Sequence, residues 1–345
     1  MTDDALAAPF RRLAPETVAT LARDGWGIDD VVQRRLDTER DDTVLLTRPD
    51  GVRRILKVAH PLDDPGILDL QCAALAWAAA ADPGLPLPHV VPDVDGALLR
   101  HVVGAGGEPR LARLLDYLPG SVLEYEGTTP AQRGAVGVAA GRLSLALEGF
   151  AHPASQRYLP WDLQQVGTLR DKLEHVPDPA SLEAVVELLD DYDARIGPAL
   201  RASRQQVVHH DLNPDNLLVD PGVAGYVTGV LDFGDIVRSS VVGDLAVVMT
   251  YAIDAAPPDG DPWAPAYDVA RGYVSVRALT DDERALLPDL LRTRLAQRLL
   301  LNSWLAASDP SNAHYTARTV HRAVDAIQRL RAVAPPDASV LVKES

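Results

Sequence analysis

The stretch 207–235 places polar groups at the separations that phosphoryl transfer to a hydroxyl requires. It reads VVHHDLNPDNLLVDPGVAGYVTGVLDFGD and contains an H-x-D-x(4)-N pattern followed by D-F-G-D. This chemistry needs one carboxylate to accept the hydroxyl proton, and an amide oxygen with a second carboxylate to hold magnesium against the nucleotide phosphates. Asp211 is the candidate base, and Asn216 and Asp232 are the candidate magnesium ligands. His209 joins Asp211 in the candidate catalytic set, where we expect it to hold the loop by a hydrogen bond.

Two apolar runs around the turn at 220–222 predict a β-hairpin within this stretch. LLVD and VTGVLDF are rich in branched residues, and Pro and Gly occupy the turn between them. Such a hairpin would bring Asn216 and Asp232 to one end, as two ligands of one metal require. A polar loop beside an ordinary hairpin is the first alternative. A metal cluster of His209, His210 and Asp211 is the second, disfavoured because adjacent side chains on an extended segment point to opposite faces.

Composition limits the class of protein. The 345 residues are enough for two lobes with their own cores. With 33 basic and 49 acidic residues the net charge is −16, and no basic run stands out, which argues against nucleic acid or an anionic membrane as partner. The acidity fits a cationic substrate, or a generally acidic surface without functional meaning. The single Cys72 lies among apolar residues, which predicts a buried structural thiol in a reducing compartment.

The N-terminus lacks the pattern of a secretory signal, and no uncharged apolar run reaches the roughly 18 residues of a membrane span. These observations predict a soluble, cytoplasmic protein.

The first 120 residues predict a helix followed by an antiparallel meander. The predicted elements are a helix within 1–25, strands at 31–36, 43–47 and 53–59, a helix at 65–82, a strand-like pair at 89–94 and 97–103, and a strand entering a Pro-Gly turn at 111–120. The last of these has the character of a linker between lobes, with the boundary near Pro119.

Lys57 lies inside the third predicted strand, between two apolar residues. A strand lysine usually marks a solvated face. With the downstream motif present, it becomes the candidate cation for the α- and β-phosphates of a nucleotide. The connection 36–43 contains no glycine, so a phosphate cradle here would use backbone N–H groups, Thr38 and Arg40. A charged hairpin tip is the equal alternative.

A kinase needs a Glu on the helix at 65–82 to orient Lys57, but the candidates in this sequence are Asp69 and Gln71. Either could hydrogen-bond to Lys57, and the sequence does not choose between them.

The remainder of the chain predicts mostly helices. Apolar periodicity marks 130–150, 181–204, 239–253 and three helices within 265–334, of which 281–307 is expected to break near Pro288. Between the first two lies an irregular aromatic stretch with Trp161 and Asp162, which is either a packed loop or part of an acceptor pocket. Asp235 could face the metal or the acceptor. Asp244 could be an N-terminal helix charge or a brace for the catalytic loop.

Taken together, these segments resemble the aminoglycoside phosphotransferase superfamily of small-molecule kinases, and more closely its hydroxylysine-kinase-like branch. The matching segments are TERDD at 38–42, ILKVAHP at 55–61, LDLQCAAL at 68–75, DYLPG at 116–120, GFAHPASQRYLPWDL at 149–163, HHDLNPDNLLV at 209–219, LDFGD at 231–235, GDLA at 243–246 and DPSNAHY at 309–315. The resemblance implies a bilobal, protein-kinase-like α+β fold. A small antiparallel-sheet lobe (1–118) would bind the nucleotide, and a larger, mostly helical lobe (119–345) would carry catalysis and the acceptor.

The resemblance also implies residue roles. Asp211 would be the base, with Asn216 and Asp232 binding Mg²⁺. The implied nucleotide-binding residues are Lys57, Thr38, Glu39, Arg40, Asp41, Gln71, Asp116, Tyr117 and Leu118. Trp161, Asp162 and Asp235 are possible acceptor-binding residues. Two departures from the pattern of the superfamily matter. His210 replaces the usual Gly, and Gln71 replaces a helix Glu. We interpret the replacement at Gln71 as a trait of the branch.

The predicted function is Mg²⁺-dependent transfer of the γ-phosphoryl group of ATP or GTP to a hydroxyl of a small acceptor. An amino-bearing alcohol is favoured, such as an aminoglycoside, a hydroxylated amino acid or a related natural product, and antibiotic inactivation is one candidate role. A nucleoside- or sugar-type antibiotic is the alternative acceptor. A silent kinase-like binding module is the alternative of another class. No nucleic-acid or membrane partner is expected, and the oligomeric state would be monomer or homodimer.

Overall fold

The computed structural model describes residues 11–36, 38, 41–308 and 313–341. The chain divides into two compact units. The N-terminal unit comprises Met1–Pro119 together with His152–Ala154, and the C-terminal unit comprises Gly120–Ala151 and Ser155–Ser345.

One antiparallel sheet organises the N-terminal unit. Its strands are β1 (Val32–Arg35), β2 (Asp42–Thr47), β3 (Arg53–Val58), β4 (Val90–Val91), β5 (Arg100–Val103) and β6 (Pro109–Asp116). Their order is β1-β2-β3-β6-β4, with β5 also paired to β6. The predicted meander of β1, β2 and β3 is confirmed. The two segments expected as a strand-like pair share a turn, where the Asp93 N–H donates to the Ala97 carbonyl at 2.8 Å. Their strands β4 and β5 each pair with β6, whose eight residues are long enough to accept both.

Two helices complete this unit. Helix α1 (Pro15–Trp26) ends at Gly27, whose φ of 64° suits a left-handed C-cap. Helix α2 (Pro65–Ala81) begins at Asp64, whose side chain accepts the Gly66 N–H. The main core cluster joins α1 to the sheet through Val18, Ala22, Val44, Leu46, Leu56, Val58, Ala112 and Leu114. Cys72 on α2 is buried and free, as predicted.

The C-terminal unit contains two small antiparallel sheets. The first has the order β10 (Val227–Val230), β9 (Leu217–Val219), β7 (Ser121–Val122), and the second pairs β8 (Gln205–Val208) with β11 (Val237–Ser240). The β9–β10 hairpin confirms the prediction for this segment. At its open end the Leu231 N–H donates to the Asn216 carbonyl at 2.8 Å, which brings Asn216 next to the start of D-F-G-D.

Helices form the rest of this unit. They are α3 (Pro130–Ala146), α4 (Pro179–Asp191), α5 (Gly197–Ala202), α6 (Val241–Ala252), α7 (Ala264–Val276), α8 (Asp281–Ser308) and α9 (Ala313–Ala332), with a long 3₁₀ segment at Leu163–His175 and a π-turn at Tyr192–Ile196. None of the helices in the described part of the chain is long and apolar enough to cross a membrane. The antiparallel sheet of the N-terminal unit and the mainly helical C-terminal unit confirm the predicted α+β class.

The break expected near Pro288 is wrong. Helix α8 runs without interruption from Asp281 to Ser308 with Pro288 inside it. A proline removes one intrahelical hydrogen bond and usually kinks a helix. Here the buried residues Leu286, Leu287, Leu290 and Leu291 flank the proline on both sides. Their packing therefore compensates for the lost bond.

Helices α3 and α7 lie in unusually close backbone contact. An added Cβ at Gly137 would overlap the carbonyl oxygen of Val269, and one at Gly272 would overlap the carbonyl oxygen of Gly134. A buried ion pair joins the same helices, with Arg133 Nη2 2.7 Å from Asp268 Oδ2. Glycine is therefore required where the two backbones cross.

Gly137→Ala is expected to destabilise the protein by about 1–3 kcal/mol, because the methyl group must push α3 and α7 apart. Gly134→Ala on the same helix is the matched control, since its Cβ would meet only Asp268 O at 3.9 Å. Urea unfolding of the two variants measures the difference. Equal stability of both variants would contradict the close approach of the helices.

Candidate active site

The loop that carries Asp211 follows β8 and is held first by His209. The His209 ring is fully buried, and its Nε2 lies 2.9 Å from the Leu231 carbonyl. Its Nδ1 accepts the Asp211 N–H at 3.2 Å. A carbonyl can only accept and a peptide N–H can only donate, so the ring is neutral with the proton on Nε2. Burial lowers the pKa of His209 to about 4, in agreement with this state. His209 thus links the loop to the residue before Asp232, as the sequence predicted.

His210 occupies a backbone conformation that favours glycine. Its φ is 65°, in the left-handed region. This explains the Gly expected at this position, and the chain compensates with specific contacts. The His210 N–H donates to Asp244 Oδ1 at 2.7 Å, and its Nε2 accepts the Leu163 N–H at 3.1 Å. Burial lowers the pKa of His210 to about 4, so this ring is also neutral at pH 7.

Both histidine rings bind backbone groups. In the part of the chain that the structure describes, no cluster of three or more His, Cys, Asp or Glu side chains could hold a metal ion.

Two asparagines orient the Asp211 carboxylate. Asn213 Nδ2 donates to both carboxylate oxygens at 3.0 Å. Asn216 Nδ2 donates to Oδ2 at 2.7 Å and to the Asp211 carbonyl at 2.9 Å. Burial, followed by the negative charges of Asp235 and Asp232, raises the pKa of Asp211 to about 8. The site therefore fixes a carboxylate of high proton affinity in one orientation. Sequence reasoning missed Asn213, although its position within the motif was visible.

Asn216 and Asp232 fit the requirements of a hard divalent cation. Asn216 uses both amide hydrogens on Asp211, which directs its Oδ1 away from that residue. Asp232 is exposed, has a φ of 52°, and accepts the Gly234 N–H through Oδ1. An amide oxygen and a carboxylate brought to one end of a hairpin are ligands that Mg²⁺ accepts. The donor set of this unit therefore suits the predicted ion.

Sequence reasoning also missed Arg294, a buried arginine on α8 that binds the segment just before Leu163. Arg294 is 1% exposed, and its Nη1 donates to the Trp161 carbonyl at 2.6 Å and to Gln297 Oε1 at 2.9 Å. Gln297 Nε2 donates to the Pro160 and Asp162 carbonyls. The positive charge of Arg294 lowers the pKa of Asp211 and Asp244 against the effect of burial. Polar residues at i and i+3 on an apolar helix were the available signal.

The structure separates the three possible acceptor residues. Asp162 is 2% exposed, and its Oδ1 accepts the Ser239 hydroxyl at 2.7 Å and the Gln164 N–H at 3.0 Å. It caps the 3₁₀ segment, which favours a structural role over acceptor contact. Trp161 packs beside Leu159, Val208 and Val237 and lies under the Arg294 guanidinium. Asp235 is half-buried and close enough to raise the pKa of Asp211, so it is the best-placed of the three.

In the N-terminal unit, Lys57 pairs with the β1–β2 connection. Its Nζ lies 3.1 Å from Asp41 Oδ2. The Thr38 hydroxyl donates to the Asp41 carbonyl at 2.7 Å, which folds this connection back on itself. Glu39 and Arg40, also predicted as nucleotide-binding residues, lie outside the described residues. A carboxylate repels phosphate, so Asp41 is poorly suited to bind a nucleotide directly.

The two candidate helix partners of Lys57 bind other groups. Gln71 Oε1 accepts a hydrogen bond from Arg113 Nη2 at 2.8 Å, and Asp69 Oδ2 lies 3.1 Å from His152 Nε2. These contacts do not decide which of the two, Asp69 or Gln71, orients Lys57. Arg113, the partner of Gln71, stands directly opposite Lys57 across β3 and β6. Arg113 is a third residue that sequence reasoning missed, after Asn213 and Arg294.

The predicted linker residues lie at the C-terminal end of β6. Asp116 pairs through its carboxylate with His89 at 3.1 Å and with Arg54 at 3.4 Å. The Tyr117 ring lies under the Arg53 guanidinium at 3.8 Å, and Leu118 is half-buried. The side chains of Asp116 and Tyr117 thus fix the end of the strand, which leaves the backbone as the part that could meet a nucleotide base.

Comparison with known proteins places this architecture among kinases of small molecules. The solved structure of amicoumacin kinase hAmiN in complex with AMP-PNP, Ca²⁺ and Ami has the same fold, with a TM-score of 0.69 at 17% identity over 96% of this chain and 98% of that chain. The sequence profile of the Phosphotransferase enzyme family matches residues 31–286, and the chain belongs to this family. It is a kinase whose phosphoryl acceptor is an alcohol group, and the predicted family resemblance is confirmed.

Two curated relatives match most of the chain. Hydroxylysine kinase from Danio rerio is 27% identical over 329 residues, which are 92% of this chain and 91% of the relative. Homoserine kinase from Gluconacetobacter diazotrophicus is 30% identical over 283 residues, which are 79% of this chain and 78% of the relative.

Asp244 gives a test of the loop support through pH. It is 3% exposed, and burial raises its pKa to about 6 from an ordinary value of 3.8. The folded state therefore binds this proton more tightly than the unfolded state, so the associated stability is present below pH ~4 and is lost as the pH rises through ~6. Asp244→Asn removes the titration while its amide oxygen can still accept the His210 N–H.

We expect the free energy of unfolding of Asp244→Asn to rise relative to the wild type by about 2 kcal/mol between pH 4 and pH 7.5. The comparison cancels the contributions of His209 and His210, which both proteins contain. Urea titrations at four pH values measure the effect. A difference that does not change with pH would contradict a buried, ionisable Asp244.

Proposed function

We propose that this enzyme transfers the γ-phosphoryl group of ATP or GTP to the hydroxyl of a hydroxylated amino acid or a closely related amino alcohol. The observation that carries the proposal is the Asp211 carboxylate, fixed by Asn213 and Asn216 at the end of the β9–β10 hairpin. Family membership supplies the reaction class.

Asp211 acts as the base in this proposal. The acceptor oxygen attacks the γ-phosphorus in line, its proton passes to an Asp211 carboxylate oxygen, and the bond from the γ-phosphorus to the bridging oxygen breaks to release the nucleoside diphosphate. A base is most effective when its pKa lies near the working pH. Burial and the neighbouring carboxylates raise the pKa of Asp211 towards that range. The two asparagines hold the carboxylate so that its orientation does not have to be found during the reaction.

Asn216 Oδ1 and the Asp232 carboxylate would hold the divalent cation, which neutralises charge on the phosphates when bound. The AMP-PNP and Ca²⁺ of the amicoumacin kinase complex support nucleotide and divalent metal use in this fold. Lys57 on β3 would contact the α- and β-phosphates through its ammonium group, which lies 3.1 Å from Asp41 Oδ2 in this structure.

The acceptor class follows from the relatives and from local charge. Hydroxylysine kinase and homoserine kinase are named for amino acids that carry a side-chain hydroxyl, and both match this chain over most of its length. Asp235 lies near Asp211 and would attract the ammonium group of such an acceptor. These observations favour a metabolic acceptor over an antibiotic.

The test is a product assay with purified protein, Mg²⁺, and ATP or GTP. The acceptors are hydroxylysine, homoserine, simple amino alcohols, an aminoglycoside and a nucleoside antibiotic, with phosphorylated product detected by mass spectrometry. We expect turnover with at least one hydroxylated amino acid or amino alcohol, and at least about tenfold lower kcat/KM with the antibiotics.

Asp232→Asn is the inactive reference, and we expect its kcat to fall at least about 100-fold because one metal ligand loses its charge. Asp220→Asn is the matched control, since Asp220 is an exposed carboxylate in the turn of the same hairpin that accepts the Gly222 N–H. It should keep wild-type activity. Preferential phosphorylation of an antibiotic would contradict the proposed acceptor class, and full activity of Asp232→Asn would contradict the metal site.

A further inference from the structure

Four side chains form a connected network on the sheet of the N-terminal unit. Lys57 Nζ lies 3.1 Å from Asp41 Oδ2, and Arg113 Nη2 lies 3.4 Å from the same oxygen. Arg113 Nη2 also donates to Gln71 Oε1 at 2.8 Å. Lys57 and Arg113 stand directly opposite each other on β3 and β6. One oxygen of Asp41 is therefore shared by Lys57 and Arg113, and Arg113 is held in turn by Gln71 on α2.

Lys57 can release Asp41 more easily than Arg113 can. The Arg113 residue is 5% exposed, and Gln71, itself buried, fixes its guanidinium. The Lys57 side chain is 14% exposed and ends in a single ammonium on a flexible stem. A nucleotide phosphate and Asp41 are both anions that can pair with Lys57. A phosphate that binds Lys57 must therefore compete with Asp41, whereas Arg113 stays with the carboxylate.

The neutral side chain at Gln71 suits this arrangement. A carboxylate at this position would compete with Asp41 for Arg113, because it would form the stronger, charge-assisted bond. The amide oxygen instead accepts one hydrogen bond and leaves the arginine charge available to Asp41. The neutral amide also adds no negative charge beside Arg113, which favours an incoming polyphosphate.

We propose that Arg113 is a positioning residue for nucleotide binding. Gln71 orients the Arg113 guanidinium, and Arg113 retains Asp41 so that Lys57 can pair with a phosphate. In this chain the Asp41–Arg113–Gln71 contacts take over the task that an acidic residue on α2 was expected to perform. The inference rests on the proposed function, because it concerns the phosphate-binding role of Lys57.

Removal of Arg113 leaves Asp41 with Lys57 as its cation, so the carboxylate competes more strongly with phosphate. We expect Arg113→Met to weaken the binding of ATP with Mg²⁺ about tenfold or more, measured by isothermal titration calorimetry, with the acceptor KM unchanged. Asp41→Asn removes the competing charge. The double variant Asp41→Asn, Arg113→Met should therefore recover affinity to within about threefold of Asp41→Asn alone. A purely structural arginine would not give this recovery.

Arg100→Met is the matched control for loss of an arginine from a buried carboxylate. Arg100 Nη1 lies 2.9 Å from Asp93 Oδ2 in the same unit. We expect it to lower thermal stability without changing ATP affinity. Wild-type affinity of Arg113→Met, or a double variant as weak as Arg113→Met, would overturn the role of Arg113. A wild-type protein that binds no nucleotide would instead overturn the proposed function.

Discussion

Two neutral, buried imidazoles fix the peptide that presents Asp211. The His209 ring bridges the Asp211 N–H and the Leu231 carbonyl. The His210 ring accepts the Leu163 N–H, and the backbone N–H of His210 donates to Asp244. A buried imidazolium would lack the solvation that its charge requires, and burial keeps both pKa values near 4. The neutral ring is also the state that can both donate and accept. The orientation of Asp211 therefore depends on two anchors of its loop. His210 ties the loop to Leu163 and Asp244, and His209 ties it to the hairpin that carries Asp232.

The helices of the C-terminal unit support this loop with charges that partly offset each other. Asp244 on α6 and Arg294 on α8 are both buried, and the arginine opposes the rise that burial imposes on the pKa of Asp244 and Asp211. Arg294 and Gln297 also bind the carbonyls of 160–162, the segment just before the Leu163 N–H that His210 accepts. Long helix α8 is thus part of the scaffold of the Asp211 loop, although none of its side chains belongs to the recognised motif.

Local patterns were sufficient to predict what lies close in sequence. The hairpin between Asn216 and Asp232 follows from apolar runs around a Pro-Gly turn, and the β1–β2–β3 meander follows from alternation with turn residues. The chemical role of Asp244 needed the structure, because a helix-start carboxylate and a loop brace look alike in sequence. Pro288 was misjudged since the packing that tolerates it is not local.

Long-range polar contacts account for the rest. Arg113 lies in a mostly buried strand, and Arg294 lies in a long helix that contains many leucines. An arginine is usually expected to reach solvent. Their partners, Asp41, Gln71 and the Trp161 carbonyl, are distant in the chain. His210 shows the same limit, since the motif marked it as a departure from Gly but only its φ of 65° explains the position. These contacts arise from packing, which periodicity does not encode.

The rate of a single turnover of γ-phosphoryl transfer, with labelled nucleotide and excess enzyme, tests the central claim most directly. The comparison is between wild type and Asp211→Asn, with the acceptor that gives the highest turnover. The account predicts that the variant binds nucleotide like the wild type but transfers the label at least about 100-fold more slowly, because the hydroxyl proton has no base. Transfer at the wild-type rate would contradict the assignment of Asp211 and, with it, the reason for the loop that presents it.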